Sequence, residues 1–336
     1  MSSHKLASSV NFTAFVLVAL FVCLLFLIRV GIESVFKEKK KRKERKSPPS
    51  CMTDPSLGVK HEYVTLDDVT LHYVSAGNPR NQLVIFLHGF PDFWLTWQRQ
   101  ITEFREDYWV VAPDMRGYGE SSKPAQVSQY RLPLLIQDVK RLIEKLGEGC
   151  KAVVVGHDWG GIVAWALTAS HPHLVHRLIV INAPHPGVMD QVLRSSFDQM
   201  KRSWYTVAFQ FPKLSKMMLE RNDFEVLDVS LRKYGEEEVE AVKYVFSQPG
   251  VLEAATNYYR ANLGFDGGIP SGYIMVPTLI LWGEKDPYLS KRLAHLSIQR
   301  ALGRVELLPA AGHWAHRECA IRVNDHIRSF LQSSGL

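Results

Sequence analysis

Apolar residues fall into three patterns along this chain. From Phe12 to Ile28 only Thr13 interrupts an apolar run, and residues 6–28 carry no charge. At ~1.5 Å per residue, a helix over Phe12–Ile32 is roughly 30 Å long, about one bilayer hydrocarbon core. Further on, short β-branched runs alternate with amphipathic stretches. The runs are Tyr63–Leu66, Thr70–Val74, Leu83–Leu87, Trp109–Ala112, Ala152–Val155, Leu178–Ile181, Thr278–Leu281 and Val305–Leu308. Several are continuously apolar, as strands buried on both faces must be. Helical periodicity marks Tyr130–Leu146, Gly160–Ser170, Ser290–Ala301 and Ala320–Leu331. Strands alternating with helices predict an α/β fold with a mainly parallel, eight-stranded sheet and right-handed crossovers. The first two runs, joined by Asp67-Asp68, predict an antiparallel hairpin at one edge. Between Pro184 and Ile274 the alternation stops, and the chain turns helical and rich in aromatics and Met. That stretch reads as a helical cap inserted into the α/β core. The expected organisation is an anchor (1–36), a basic linker (37–58), a leading core segment (59–183), the cap (184–274) and a closing core segment (275–336).

Charge sharpens the reading of the N-terminal end. Residues 1–50 hold ten Lys/Arg and three Asp/Glu, and the remainder holds 30 basic and 31 acidic residues. The chain's basicity therefore belongs to its first fifty residues, and the body has no cationic surplus for nucleic acid. Lys37, Lys39, Lys40, Lys41, Arg42, Lys43, Arg45 and Lys46 directly follow the apolar run. This is the pattern of a membrane anchor with a juxtamembrane basic stretch. A cleaved signal peptide fits less well, because its apolar region would be long and no small-x-small site follows. With only Lys5 ahead of the span, the positive-inside rule puts the body in the cytosol. The one Asn-x-Thr sequon, at Asn11, abuts the span. The expectation is a single-pass protein of the endoplasmic reticulum membrane, with linker 37–58 solvated and irregular. The four cysteines lie far apart without a CxxC pair, which argues for reduced thiols over disulfides or a zinc site.

Candidate chemistry concentrates at strand ends. The run Val153-Val154-Val155 leads into Gly156-His157-Asp158-Trp159-Gly160-Gly161 and then a helix. This is the nucleophile-elbow pattern, with Asp158 where serine stands in G-x-S-x-G. A carboxylate there gains from the helix N-terminus. The alternative is a plain strand-to-helix turn capped by Asp. His88-Gly89-Phe90-Pro91 follows another buried run. In such an architecture that loop supplies one oxyanion-hole amide and the residue after the nucleophile supplies the other, which nominates Phe90 and Trp159. Both also qualify as substrate contacts. His88 itself reads as a buried structural histidine, and Pro91 as belonging to a fixed turn. Late in the chain come Trp282-Gly283-Glu284-Lys285-Asp286 and Ala311-Gly312-His313-Trp314. Nucleophile, acid, base is the order of a hydrolase triad. Asp286 is then the acid, with Glu284 as its runner-up, and His313 the base. Asn182, after Leu178–Ile181, offers no acid.

HGFPDFW, DMRGYGESSKP, GHDWGG, WGEKD and GHW together resemble the epoxide hydrolases of the α/β-hydrolase fold. The anchor and the SLG…LHYVSAG lead-in resemble the membrane-anchored types three and four in particular. The resemblance covers nearly all of residues 50–333. It implies that Asp158 forms an ester, that Asp286 completes the charge relay and that His313 activates water. It also implies two cap tyrosines that hydrogen-bond and protonate the epoxide oxygen. One precedes an FQxP motif, here Phe209-Gln210-Phe211-Pro212, which selects Tyr205. The other lies in N-x-Y-R, here Asn257-Tyr258-Tyr259-Arg260, which selects Tyr259. Tyr258 and Tyr244 are close decoys, and any of the four could be a packing aromatic. No metal or organic cofactor is implied. The expected substrate is a small lipophilic epoxide, with fatty-acid epoxides suggested by the family, and the oligomeric state stays open.

Other readings are weaker. A serine esterase requires Ser at 158. A haloalkane dehalogenase shares the Asp nucleophile and the following Trp, but wants a halide donor, often Asn, where Phe90 stands. A haloacid dehalogenase would want a cation at 159. A catalytically inactive, membrane-tethered binding protein is the alternative of another class, and the filled triad positions argue against it.

Overall fold

The computed structural model describes residues 3–36, 40, 42–263 and 272–333. Lys37, Lys39 and Lys41 of the basic run, and residues 264–271 of the expected cap, lie outside the described residues. The chain opens with helix α1, Ser3–Phe36, longer at both ends than the apolar run alone predicts. Its window Thr13–Val30 has a mean hydropathy of 2.8, long and apolar enough to cross a membrane. The body begins with β1 (Lys60–Thr65), β2 (Thr70–Ala76), β3 (Leu83–Leu87), α2 (Gln98–Phe104), β4 (Trp109–Pro113), α3 (Leu132–Leu146), β5 (Ala152–His157), α4 (Trp159–Ser170) and β6 (Val175–Ile181). Among the described residues, six helices then intervene: α5 (Pro186–Ser195), α6 (Phe197–Arg202), α7 (Trp204–Ala208), α8 (Pro212–Ser230), α9 (Glu236–Ser247) and α10 (Val251–Asn262). The body ends with β7 (Ile274–Gly283), α11 (Arg292–Ile298), β8 (Ala301–Leu308), α12 (Ala315–Glu318) and α13 (Ala320–Gln332).

The eight strands form one sheet in the order β1-β2-β4-β3-β5-β6-β7-β8. β1 pairs antiparallel with β2, and β2 with β4; every other pairing is parallel. The expected edge hairpin and α/β fold are both present. Every residue of β3 and β5 is buried, which is why those runs lack polar alternation. Two helix boundaries differ from the periodic reading. Pro133 lacks an N–H and is tolerated only in a first turn, so α3 begins at Leu132, and Val127–Tyr130 forms a 3₁₀ turn instead. Ala301 opens β8, where it pairs with Ile274, so α11 stops at Ile298.

The described part of the linker is irregular apart from two short 3₁₀ turns and is largely exposed, as expected, but it is tied down. Its cations are claimed by acids of the helical insertion. Arg45 makes a two-pronged pair with Asp223 (2.7 and 2.9 Å) and a further bond to Glu240 (2.9 Å). Arg42 binds Glu220 at 2.9 Å and the Ser247 carbonyl at 3.0 Å. The Lys43 amide also donates to Asp223, at 3.0 Å, and Ser50 and Cys51 engage Glu237. Asp223 sits in an interruption of α8 where Asn222, Asp223 and Phe224 all have positive φ (49°, 62° and 63°). Left-handed backbone costs L-residues roughly 1–2 kcal/mol each. The strap therefore holds an unfavourable conformation in place. The Arg45 side chain is only 3% exposed. Arg45→Ala should leave Asp223 buried without its partner, at a cost of about 3 kcal/mol. Thermal unfolding of the detergent-solubilised protein should show a melting point lower by roughly 5 °C or more; an unchanged midpoint would show that the strap contributes nothing.

Helix α1 also docks on the body. Phe15, Ala19 and Cys23 are buried, the first two against Met200 and Val207, while Leu17, Phe21 and Leu24 on the other side are half or more exposed.

Candidate active site

The elbow follows from the local sequence. β5 ends at His157 and α4 begins at Trp159, which leaves one residue to reverse the chain. That residue, Asp158, has φ 51° and ψ −121°, a strained pair for a non-glycine residue. The turn closes only because its neighbours are small. A Cβ on Gly160 would run into the carbonyls of Leu87 and His88, and one on Gly89 would strike the Asp158 carboxylate. The loop after β3 therefore lies directly against Asp158, and the Phe90 amide donates to its Oδ1 at 2.8 Å. The Phe90–Pro91 peptide is cis. Trp159 is the first residue of α4, so its amide belongs to the first-turn donors that lack intrahelical partners.

His313, in the loop after β8, faces Asp158 on one side and Asp286 on the other. Its Nδ1 lies 2.7 Å from Asp286 Oδ2, and its Nε2 lies 3.6 Å from Asp158 Oδ2. Asp286, after β7, is 3% exposed and fully engaged. Its Oδ1 accepts from the Tyr288 and Leu289 amides at 2.7 and 2.9 Å, and Oδ2 accepts from the Asn182 side chain at 2.8 Å. Burial disfavours the His313 cation, yet the charges of Asp286 and Asp158 outweigh it and push its pKa up to about 10. Burial likewise opposes the Asp158 anion, but His313 and the Phe90 amide hold its carboxyl below the usual carboxylate range. The carboxylates on either side thus favour the protonated imidazole between them.

Tyr205 on α7 and Tyr259 on α10 come together over this group. Their rings lie 5.8 Å apart, and Tyr259 packs edge-on to Trp159 (5.2 Å) and Phe90 (5.5 Å). Asp158, Tyr205 and Tyr259 line both of two cavities, of 430 and 870 Å³, that meet at this point. Burial first, then neighbouring groups including the Asp158 charge, keeps both phenols protonated far above neutrality. The decoys separate cleanly. The Tyr258 hydroxyl donates to the Arg116 carbonyl at 2.7 Å within the core, and Tyr244 lines neither cavity. Glu284, the runner-up acid, pairs with Lys291 instead. His88 accepts from the Met115 amide at 3.0 Å and is fully buried, as its structural reading requires.

Sequence reasoning passed over two features. Asn182, set aside for carrying no charge, ties the end of β6 to the relay: its amide group donates to Asp286 while its Oδ1 accepts from the Gly283 amide at 3.0 Å. Its signal was its position at a strand end beside the acid. Behind His313, ligand atoms of Asp92, His157 and His316 lie within 4.8 Å of one another. Asp92 Oδ1 and both Nδ1 atoms have no hydrogen-bond partner. Burial pushes the Asp92 carboxyl up to about 6 and the His157 imidazole down to about 3. Such a set could take a water or a metal ion.

The chain is similar to known proteins over most of its length. Residues 82–318 match the family model of the alpha/beta hydrolase fold. Epoxide hydrolase 4 of Mus musculus is 38% identical over 87% of this chain and 85% of its own length. Epoxide hydrolase 3 of Xenopus tropicalis is also 38% identical, over 87% of this chain and 83% of its own. Among solved structures, an inhibitor-bound epoxide hydrolase of Bacillus megaterium superposes with a TM-score of 0.74 at 31% identity, covering 81% of this chain and all of that one. An aspartate on a hydrolase elbow, a histidine–aspartate relay behind it and two phenols above it accompany relatedness over most of the chain, and the protein belongs to the epoxide hydrolases of the α/β-hydrolase superfamily.

Proposed function

We propose that the protein converts lipophilic epoxides, with fatty-acid epoxides as the substrate class, to vicinal diols through an ester on Asp158. The observation that carries this reading is the meeting of one carboxylate and two protonated phenols at the junction of both cavities. Asp158 Oδ2, the oxygen not held by the Phe90 amide, attacks a ring carbon and the C–O bond breaks. Tyr205 and Tyr259 hydrogen-bond to the departing oxygen, which takes a proton through a phenol. The proton is made good from the His313 cation, leaving the imidazole neutral. Esterification also removes the Asp158 charge, one of the anions that raise the His313 pKa, so the loss of that proton becomes easier as the ester forms. Neutral His313, oriented by Asp286, then takes a proton from water, and the hydroxide adds to the ester carbonyl. The oxyanion that develops on Oδ1 lies at the Phe90 amide, with the Trp159 amide as second donor. Collapse releases the diol and restores the Asp158 anion and the His313 cation. Protons balance over the cycle, and no cofactor enters it.

Apolar cavity residues such as Phe209, Met218, Leu219 and Leu227 support a lipophilic substrate. The same reading assigns residues 1–36 to the anchor, 184–274 to a cap over the core segments 59–183 and 275–336, and the catalytic body to the cytosolic face of the endoplasmic reticulum membrane. The basic run after the span supports that orientation.

The test is a single turnover in ¹⁸O-labelled water with enzyme in excess. The hydroxyl added to the first diol comes from Asp158, so that diol should carry no label, and the label should reside on the Asp158 peptide. Labelled diol in the first turnover would mean direct attack by water and would overturn the covalent route.

A further inference from the structure

The larger cavity does not end within the body. Besides Asp158, Phe209, Met218 and Leu219, its wall includes Phe26, Arg29 and Val30 of α1. We propose that the anchor helix is itself a wall of the substrate site, and that this side opens into the lipid around α1, so that an epoxide dissolved in the bilayer reaches Asp158 without first crossing bulk water. The inference deepens the function proposed above and rests on its assignment of this cavity to substrate.

Three observations converge. First, Phe15, Ala19, Cys23, Phe26 and Val30 recur every three or four residues, which puts them on one face of the helix. Phe15 and Ala19 are fully buried against Met200 and Val207, and Cys23 is buried as well. Phe26 and Val30 are only partly buried, and there the packing gives way to the cavity. The Phe26 ring lies 6.4 Å from that of Trp204, a residue of the same cavity wall. Second, the opposite face carries Leu17, Phe21, Leu24, Leu25 and Ile28, exposed by 49 to 62%. A continuous apolar stripe of this kind needs hydrocarbon around it. Lipid is thus one helix width from the opening. Third, the rim on the body's side sets apolar surface beside charge: Val226 and Val229 line the cavity and are 38% and 63% exposed, and Lys201, Arg202, Arg221 and Glu225 line it too, a mixture that suits the headgroup boundary. Arg29, near the end of the apolar window, suits the depth at which hydrocarbon gives way to headgroups. An amphiphilic epoxide held at that depth has its acyl chain beside the apolar part of the rim.

The test uses the full-length protein in phosphatidylcholine vesicles and two substrates, a long-chain acyl epoxide ester and styrene oxide. Val30→Trp should narrow the opening and lower the ratio of kcat/KM for the long-chain ester over styrene oxide about tenfold. Leu24→Trp, on the lipid-facing side, should leave that ratio where it is. With the unaltered protein, an acyl lipid carrying a diazirine should crosslink, mapped to single residues, at Phe26 or Val30 and on the segment Val226–Val229. This arm needs no variant and is independent of how Val30→Trp folds. An unchanged ratio in Val30→Trp, an equal loss for both substrates, or crosslinks confined to the outer stripe would overturn the proposal. Failure of the proposed function looks different: the unaltered protein would form no diol from either substrate.

Discussion

His313→Gln protein incubated with excess epoxide should gain the mass of one substrate molecule, on the peptide that carries Asp158, while releasing almost no diol. Attack by Asp158 on the ring needs no base, and the Phe90 amide still holds its carboxylate in place. Glutamine keeps a polar group of similar reach toward Asp286. Ester hydrolysis, in contrast, needs a proton acceptor next to the attacking water. Loss of a positioned general base costs typically 10²–10⁴-fold, and here it falls on the second step, while ring opening loses only the proton that His313 passes to the phenol. The ester should therefore accumulate, and steady-state turnover should drop by roughly three orders of magnitude. Intact-mass spectrometry followed by peptide mapping reads both quantities. Addition of Asp158→Asn should abolish the adduct. Diol release near the original rate from His313→Gln would remove His313 from the base role, and an adduct on another residue would remove Asp158 as nucleophile.

Replacing both phenols, Tyr205→Phe with Tyr259→Phe, should reduce ring opening by about 10⁴-fold or more. One preorganised donor to a developing oxyanion is worth about 10²–10³ in kcat, and the second phenol partly covers for the first in each single variant. Each single change should therefore cost about 10²-fold or somewhat less. The loss should appear in kcat, because the charge these phenols stabilise exists only as the C–O bond breaks. KM should move little, as both rings remain and the aromatic contacts among Phe90, Trp159 and Tyr259 are made by ring edges and faces. Melting points close to that of the unaltered protein would confirm that packing is kept. A double variant within tenfold of full activity would leave the ring oxygen without its assigned donors.

How much of this site is legible in the chain depends on the range of the interaction. The elbow and the loop after β3 are local: small residues around Asp158 and a buried run on each side suffice to find them. The triad order places Asp286 and His313, because each follows a strand whose apolar run is plain. The tyrosines are different. Residues 258 and 259 are adjacent on α10, where a turn of about 100° per residue separates their directions, and nothing in the run Asn257–Arg260 says which one faces the core. The resemblance chose Tyr259. In the structure, the Tyr258 hydroxyl reaches the carbonyl of Arg116, a residue more than a hundred positions away. Asn182 was passed over for the same reason: its value lies in a bond to Asp286, across two strands. The strap's pairing was missed because a run of cations gives no sign of the acids that meet it, and Glu220, Asp223 and Glu240 are spread over two helices of the insertion.

That strap gives the basic run two duties at two different times. While the chain is being threaded into a membrane the body is unfolded, so all the cations after the span stand free and can bias its orientation as proposed. Once the body folds, Arg45 is buried, and both it and Arg42 are paired with acids of α8 and α9. The mature protein then shows the membrane surface fewer positive charges than its sequence counts. The ordering also has a practical side for anyone producing the enzyme without its anchor. A chain started after Arg45 would lose the span and, with it, the only described partners of Asp223 from the strap, so a soluble form should begin ahead of Arg42.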